Sequence, residues 1–157
     1  MLDEFDATER RAWSAVVVLA MRLPGALDSL LQREHGLTHF EYRVLSALDG
    51  APDGRMRMGV LAEHGHGSIS RLSHVVSKLE RMDWARRAAP GSGRGVDVVI
   101  TPSGRSRVHA ATPLYLKTVR ELVLGALERP QLAELAELGD RLNEHLAGVL
   151  GDDAARR

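Results

Sequence analysis

Ser68-Ile69-Ser70-Arg71-Leu72-Ser73-His74-Val75-Val76-Ser77-Lys78-Leu79-Glu80-Arg81 reads as one helix with two unlike faces. Ser68 can cap its first turn, and the helix is predicted over Ile69 to about Met82. Ile69, Leu72, Val75, Val76, Leu79 and Met82 form a stripe at helical spacing that should pack into a core. The other face carries Ser70, Arg71, Ser73, His74, Ser77, Lys78 and Arg81, with Arg71, His74, Lys78 and Arg81 on one line.

Immediately upstream, Gly65-His66-Gly67 breaks a short helix predicted over Gly59 to His64. The order is therefore helix, tight turn, helix. Before it come a capping box at Thr38-His39-Phe40-Glu41, a helix with Phe40, Val44, Leu45 and Leu48 on its apolar face, and a turn cluster over Asp49 to Gly54. A very short strand follows over Arg55 to Met58. Downstream, Trp84 to Arg87 and Val96 to Thr101 read as strands joined by the Gly-rich hairpin tip Ala89 to Gly95, which carries Arg94.

Helices flank this unit. Thr8 to Glu34 shows a helical apolar pattern interrupted by Pro24-Gly25, where the helix kinks or two helices meet, and Gly36 is a stop signal. Thr101-Pro102 opens a helix to about Leu127 that can bend at Pro113. Pro130 opens a last helix bearing Leu132, Leu135, Leu138, Leu142, Leu146 and Leu150, with a frayed tail over Asp152 to Arg157. The fold class is mainly α with a small β-wing, a winged helix-turn-helix between N- and C-terminal helices.

Composition narrows the function. The 157 residues contain no cysteine, which excludes disulfides and thiol chemistry. The acidic start Met1-Leu2-Asp3-Glu4-Phe5-Asp6 does not resemble a signal peptide, and the run Ala15 to Met21 is too short to span a bilayer. A cytoplasmic protein without a membrane partner is expected. The net charge is zero, yet Arg55 to Arg107 holds ten basic residues against four acidic ones, and the remainder is correspondingly acidic. Such a basic middle can attract a polyanion locally.

The helix-turn-helix order gives that polyanion a form, because a major groove admits one helix and is read near that helix's N-terminal end. Ser68, Ser70 and Ser73 offer hydroxyls, His74 lies on the basic line, and Arg71 can reach a guanine edge. Lys78 and Arg81 suit phosphates, as do Arg86 and Arg87 at the base of the wing, while Arg94 at its tip can enter a minor groove. No G-x-S-x-G, P-loop or dinucleotide fingerprint is present, so no enzyme is expected. Of Glu63-His64-x-His66 and His35-x-x-x-His39, the His-x-His falls where the helix-turn-helix must turn, no carboxylate motif supports a catalytic metal, and neither metal nor cofactor is expected.

Three stretches together resemble the multiple antibiotic resistance regulator (MarR) family of winged-helix regulators. They are Gly36 to Leu45, Ser68 to Arg81, and the pattern Arg94-Gly95-Val96-x-Val98-x-Ile100-Thr101-x-x-Gly104-Arg105. The resemblance implies a homodimer that binds palindromic double-stranded operator DNA, as a repressor. Residues 1–36 and 102–157 would serve dimerisation, and 37–101 would bind DNA. It also implies a small aromatic or anionic effector held by Trp13, His39, Tyr42 and Arg43; the alternative makes Trp13 and Tyr42 core residues and pairs Arg43 with an acid. The chain departs from the family pattern at Ser92, usually acidic, at Asp83-Trp84, usually Gly-Leu, and at Arg71, usually small. A winged-helix protein-interaction module without DNA binding is the alternative function.

Overall fold

The computed structural model describes residues 4–65, 67–91 and 94–155. His66 of the His-x-His motif, Ser92 and Gly93 of the hairpin tip, and the two chain ends lie outside the described residues.

The first two helices begin where capping boxes dictate. α1 (Ala7–His35) starts from an Asp6/Glu9 capping box and stops at Gly36, whose φ of 63° suits glycine. Pro24 lies inside one uninterrupted α1, so two helices do not meet at Pro24-Gly25. α2 (His39–Gly50) starts from the expected Thr38/Glu41 box. A 3₁₀ turn (Pro52–Gly54) leads into β1 (Arg55–Arg57), α3 (Met58–Gly65) and α4 (Ile69–Arg81). β2 (Ala85–Ala88) and β3 (Asp97–Ile100) follow, then α5 (Pro102–Leu122), a second 3₁₀ turn (Leu124–Ala126) and α6 (Arg129–Ala155). α5 ends five residues short of the expected Leu127, and α6 continues to Ala155, into the stretch expected to fray.

The wing is a three-stranded antiparallel sheet in the order β1-β3-β2. β3 pairs with both neighbours, setting Val98 opposite Met56 and Arg87. Backbone compactness divides the chain after Leu116, within α5, a different cut from the three regions read off the sequence.

In the first unit the core gathers Leu31 and Leu37, α2's Val44, Leu45 and Leu48, and α3's Leu61. Leu72, Val76 and Leu79 of α4, Trp84, Val98, Ile100 and α5's Val108 close it. Burying such side chains stabilises by about 1.5–3 kcal/mol each. The α4 stripe is narrower than its sequence suggests. Val75 is only partly buried, while Met82 is 42% exposed and Ile69 is 63% exposed. Gly104 permits close packing at the start of α5: a Cβ there would stand 1.9 Å from the Trp84 carbonyl oxygen.

α1 buries only Leu27 and Leu31, leaving Trp13, Val16, Leu19 and Met21 exposed. By length and composition alone this helix could cross a membrane, with a mean hydropathy of 1.5 over its most apolar stretch. The short run Ala15 to Met21 therefore understated it. Its C-terminal half is nevertheless built into the globular core, where Asp28 accepts a hydrogen bond from the His39 backbone N–H at 2.6 Å. The second unit carries an exposed row of its own on α6, including Leu135, Leu138, Leu142 and Leu146.

Candidate nucleic-acid interface

The first turn of α4 is anchored from below and open above. Ser68 caps it, its Oγ accepting from the Arg71 backbone N–H at 3.2 Å. Ser70, Arg71, His74 and Arg81 are exposed. The Arg71 guanidinium sits 4.4 Å from the centroid of the Phe40 ring, a cation–π contact that restricts a long side chain before any ligand arrives. Phe40 in turn presses on the α3–α4 turn: a Cβ on Gly65 or Gly67 would meet its ring at 3.0 or 2.9 Å.

Three of the polar residues assigned to this surface by sequence are fastened inside the protein. The Lys78 ammonium lies 2.6 Å from Glu41, whose side chain is only 4% exposed. Arg87 pairs with Glu80 and donates to the Ser73 carbonyl at 2.9 Å and to the Ser73 and Ser77 hydroxyls. Ser73 thus turns toward the wing. The side chains of Arg81, Arg86 and Arg94 are exposed and make no hydrogen bond or ion pair among the described residues. The partner roles of Glu41, Glu80 and Ser77 escaped the sequence, because nothing local marks a polar residue on a helix as the partner of a cation from another element.

The four residues linked to an effector are not brought to one place. Tyr42 and Arg43 line an open cleft of about 490 Å³ together with Ser46, His64, Thr112 and Tyr115. His39 stacks on Tyr115 with ring centroids 5.7 Å apart, without lining the cleft. Trp13, 53% exposed on α1, is neither a cleft residue nor a core residue. Tyr42 is buried, its ring centroid 4.3 Å from that of Tyr115. Arg43 donates to the His64 carbonyl at 2.8 Å rather than to an acid. Burial, reinforced by the Arg43 charge and opposed by Asp28, holds the His39 imidazole below its usual 6.5. Burial and Tyr42 raise the Tyr115 phenol, against the pull of Arg43.

Solved structures share this fold over almost the whole chain. That of Sco3205, a MarR family transcriptional regulator from Streptomyces coelicolor in complex with DNA, matches with a TM-score of 0.86. The sequences are 33% identical, over 90% of this chain and 89% of that one. AbsC, a MarR family transcriptional regulator from the same organism, is 32% identical over 92% and 97% of the two chains, again with a TM-score of 0.86. The chain belongs to the MarR family of transcriptional regulators. A MarR/EmrR family regulator from Acinetobacter sp. ADP1 shares the fold at 19% identity, over 91% and 99% of the two chains, with a TM-score of 0.79. No family model matches the sequence, and neither does any curated protein.

MarR membership makes this a regulator and not an enzyme. It also gives the Asp83-Trp84 departure a physical reason. Asp83 has a φ of 55°, a left-handed conformation that favours glycine and tolerates aspartate. Trp84 fills the core, only 4% exposed, and the Arg107 guanidinium covers its ring at 4.8 Å. No group of three or more potential metal ligands occurs among the described residues.

Proposed function

We propose that this MarR family member is a cytoplasmic, homodimeric repressor that binds palindromic double-stranded DNA in a sequence-specific way. Ser68, Ser70, Arg71 and His74 at the start of α4 meet base edges, and Arg81, Arg86 and Arg94 meet the backbone or the minor groove. The observation that carries this reading is the exposed hydroxyl and cationic face of α4, mounted on the buried Leu72, Val76 and Leu79. The similarity to Sco3205, solved with DNA, supports it. The apolar rows on α1 and α6 supply surface for pairing two chains. A protein-interaction module without DNA binding is not favoured by this kinship.

The cleft beside Tyr42 and Arg43 supports a small aromatic anion as effector, since it offers aromatic walls and a guanidinium.

Fluorescence anisotropy on duplexes from the promoter upstream of the protein's own coding sequence tests the reading. Tight binding to one palindrome that weakens steeply with salt is expected. Binding that is equal on unrelated duplexes, or absent at low salt, would reject it.

A further inference from the structure

Arg86 and Arg87 are neighbours in β2, and both read from sequence as phosphate contacts. A strand turns successive side chains to opposite faces, and here the two faces differ. Arg86 is exposed. Arg87 points back onto α4. Its backbone N–H donates to Glu80 Oε1 at 2.8 Å, and its Nη1 bonds the other oxygen of the same carboxylate. Its Nη2 lies 2.9 Å from the Ser73 carbonyl oxygen, 3.2 Å from Ser73 Oγ and 3.1 Å from Ser77 Oγ. Ser77 Oγ itself donates to the Ser73 carbonyl at 3.0 Å.

Several features make this a built junction. β2 is an edge strand, so the Arg87 N–H points away from the sheet and needs a partner, which Glu80 supplies. Ser73, Ser77 and Glu80 lie three and four residues apart, which places them along one face of α4. The planar fork of a guanidinium can bridge that carboxylate and the serine oxygens at once, whereas an ammonium is a single point charge. The Arg87 and Glu80 side chains are each about one-third exposed, at 29% and 32%.

We propose that Arg87 is a positioning residue: it fixes the wing against the DNA-reading helix, so that Arg94 is presented in register with α4, and it holds no phosphate itself. The proposal rests on the reading of α4 and the wing as DNA-contacting surfaces.

The test uses the full chain and a duplex selected by it from a random pool, with affinity measured across a salt series. Arg87→Gln is expected to weaken binding about tenfold, the scale of one charge-assisted hydrogen-bond cluster. The slope of log affinity against log salt should not change, whereas Arg86→Gln should reduce it by about 0.9, one phosphate. In the Arg87→Gln background, Arg94→Ala should cost much less than it does in the native chain. Glu80→Gln separates the alternatives by sign. Removing an acid near DNA tightens binding if only charge matters, and weakens it if Glu80 holds Arg87 in place. Arg87→Lys should fail to restore affinity.

A reduced slope for Arg87→Gln, additive effects with Arg94→Ala, an Arg94→Ala variant that binds like the native chain, or tighter binding by Glu80→Gln would each overturn the assignment. A native chain that selects no duplex would remove the DNA-binding reading itself and this proposal with it, a result visible before any variant is made.

Discussion

The ammonium of Lys78 lies 2.6 Å from the carboxylate of Glu41, joining the last turn of α4 to the first turn of α2. Glu41 is also the third residue of the α2 capping box, where its other oxygen accepts from the Thr38 backbone N–H at 3.0 Å. One nearly buried carboxylate therefore stabilises the start of one helix and fastens another.

Removing Lys78 leaves that carboxylate without its counter-charge. Because Lys78 is partly exposed, the loss is smaller than for a fully buried pair, and Lys78→Met should destabilise the fold by about 1–3 kcal/mol. Urea unfolding of Lys78→Met, Glu41→Gln and the double variant checks this. Coupling between the two sites is expected. Independent, additive losses would show that the pair contributes nothing.

Acid should weaken the fold through His39. Its imidazole is held below its usual 6.5, so the folded state favours the neutral ring. The corresponding stability is fully present above pH 6.5 and is lost as pH falls through the folded value. Unfolding midpoints at about pH 7.5 and about pH 5 should differ more for the native chain than for His39→Gln. Equal differences would refute it.

Ile69 is the apolar residue most open to solvent on α4, 63% exposed beside Ser70 and Arg71. On the proposed reading it meets the one apolar feature of the major groove, a thymine methyl. Ile69→Ala should lower affinity for the selected duplex by about five- to tenfold, the scale of a few buried methylene groups, with no loss of fold stability. Replacing thymine by uracil at each site position in turn should reproduce that loss once, and only in the native chain. Insensitivity at every thymine would exclude the contact.

Leu142 lies in the exposed apolar row of α6, 52% exposed. If that row pairs two chains, Leu142→Glu should shift the molecular mass measured by light scattering from dimer toward monomer, since burying an unpaired charge costs several kcal/mol. An unchanged mass would place the contact elsewhere.

Gly104→Ala should be among the most damaging single substitutions. Its Cβ would lie 1.9 Å from the Trp84 carbonyl, which already accepts from the Thr101 N–H at 3.1 Å. A loss of about 3 kcal/mol or more is expected, read as a fall in thermal midpoint. A midpoint within a degree or two of native would mean that the helix start gives way freely.

Much of the fold was legible because its signals are local. The capping box at Thr38/Glu41, the Ser68 cap and the Gly36 stop act within a few residues, and chain order reflects them directly. Periodicity located α4 and separated its two faces. It placed Ile69 and Met82 wrongly in the core because period alone cannot tell how wide the buried stripe is; that depends on what α2, α3 and the sheet cover. The exposed polar face was legible too, but the use of each group was not. Arg86 and Arg87 read alike, and only the register of β2 against β3 turns one outward and the other onto Ser73 and Glu80. Likewise Tyr42 and Tyr115, more than seventy residues apart, meet only through the packing of α5 beside α2.

The sequence by itself thus determined the order of elements, their caps and the charged surface, since these follow from backbone hydrogen bonding and side-chain period over short spans. The tertiary structure alone decided which cations are free and which are held, because a long side chain takes whichever acceptor the neighbouring element places within about 3 Å.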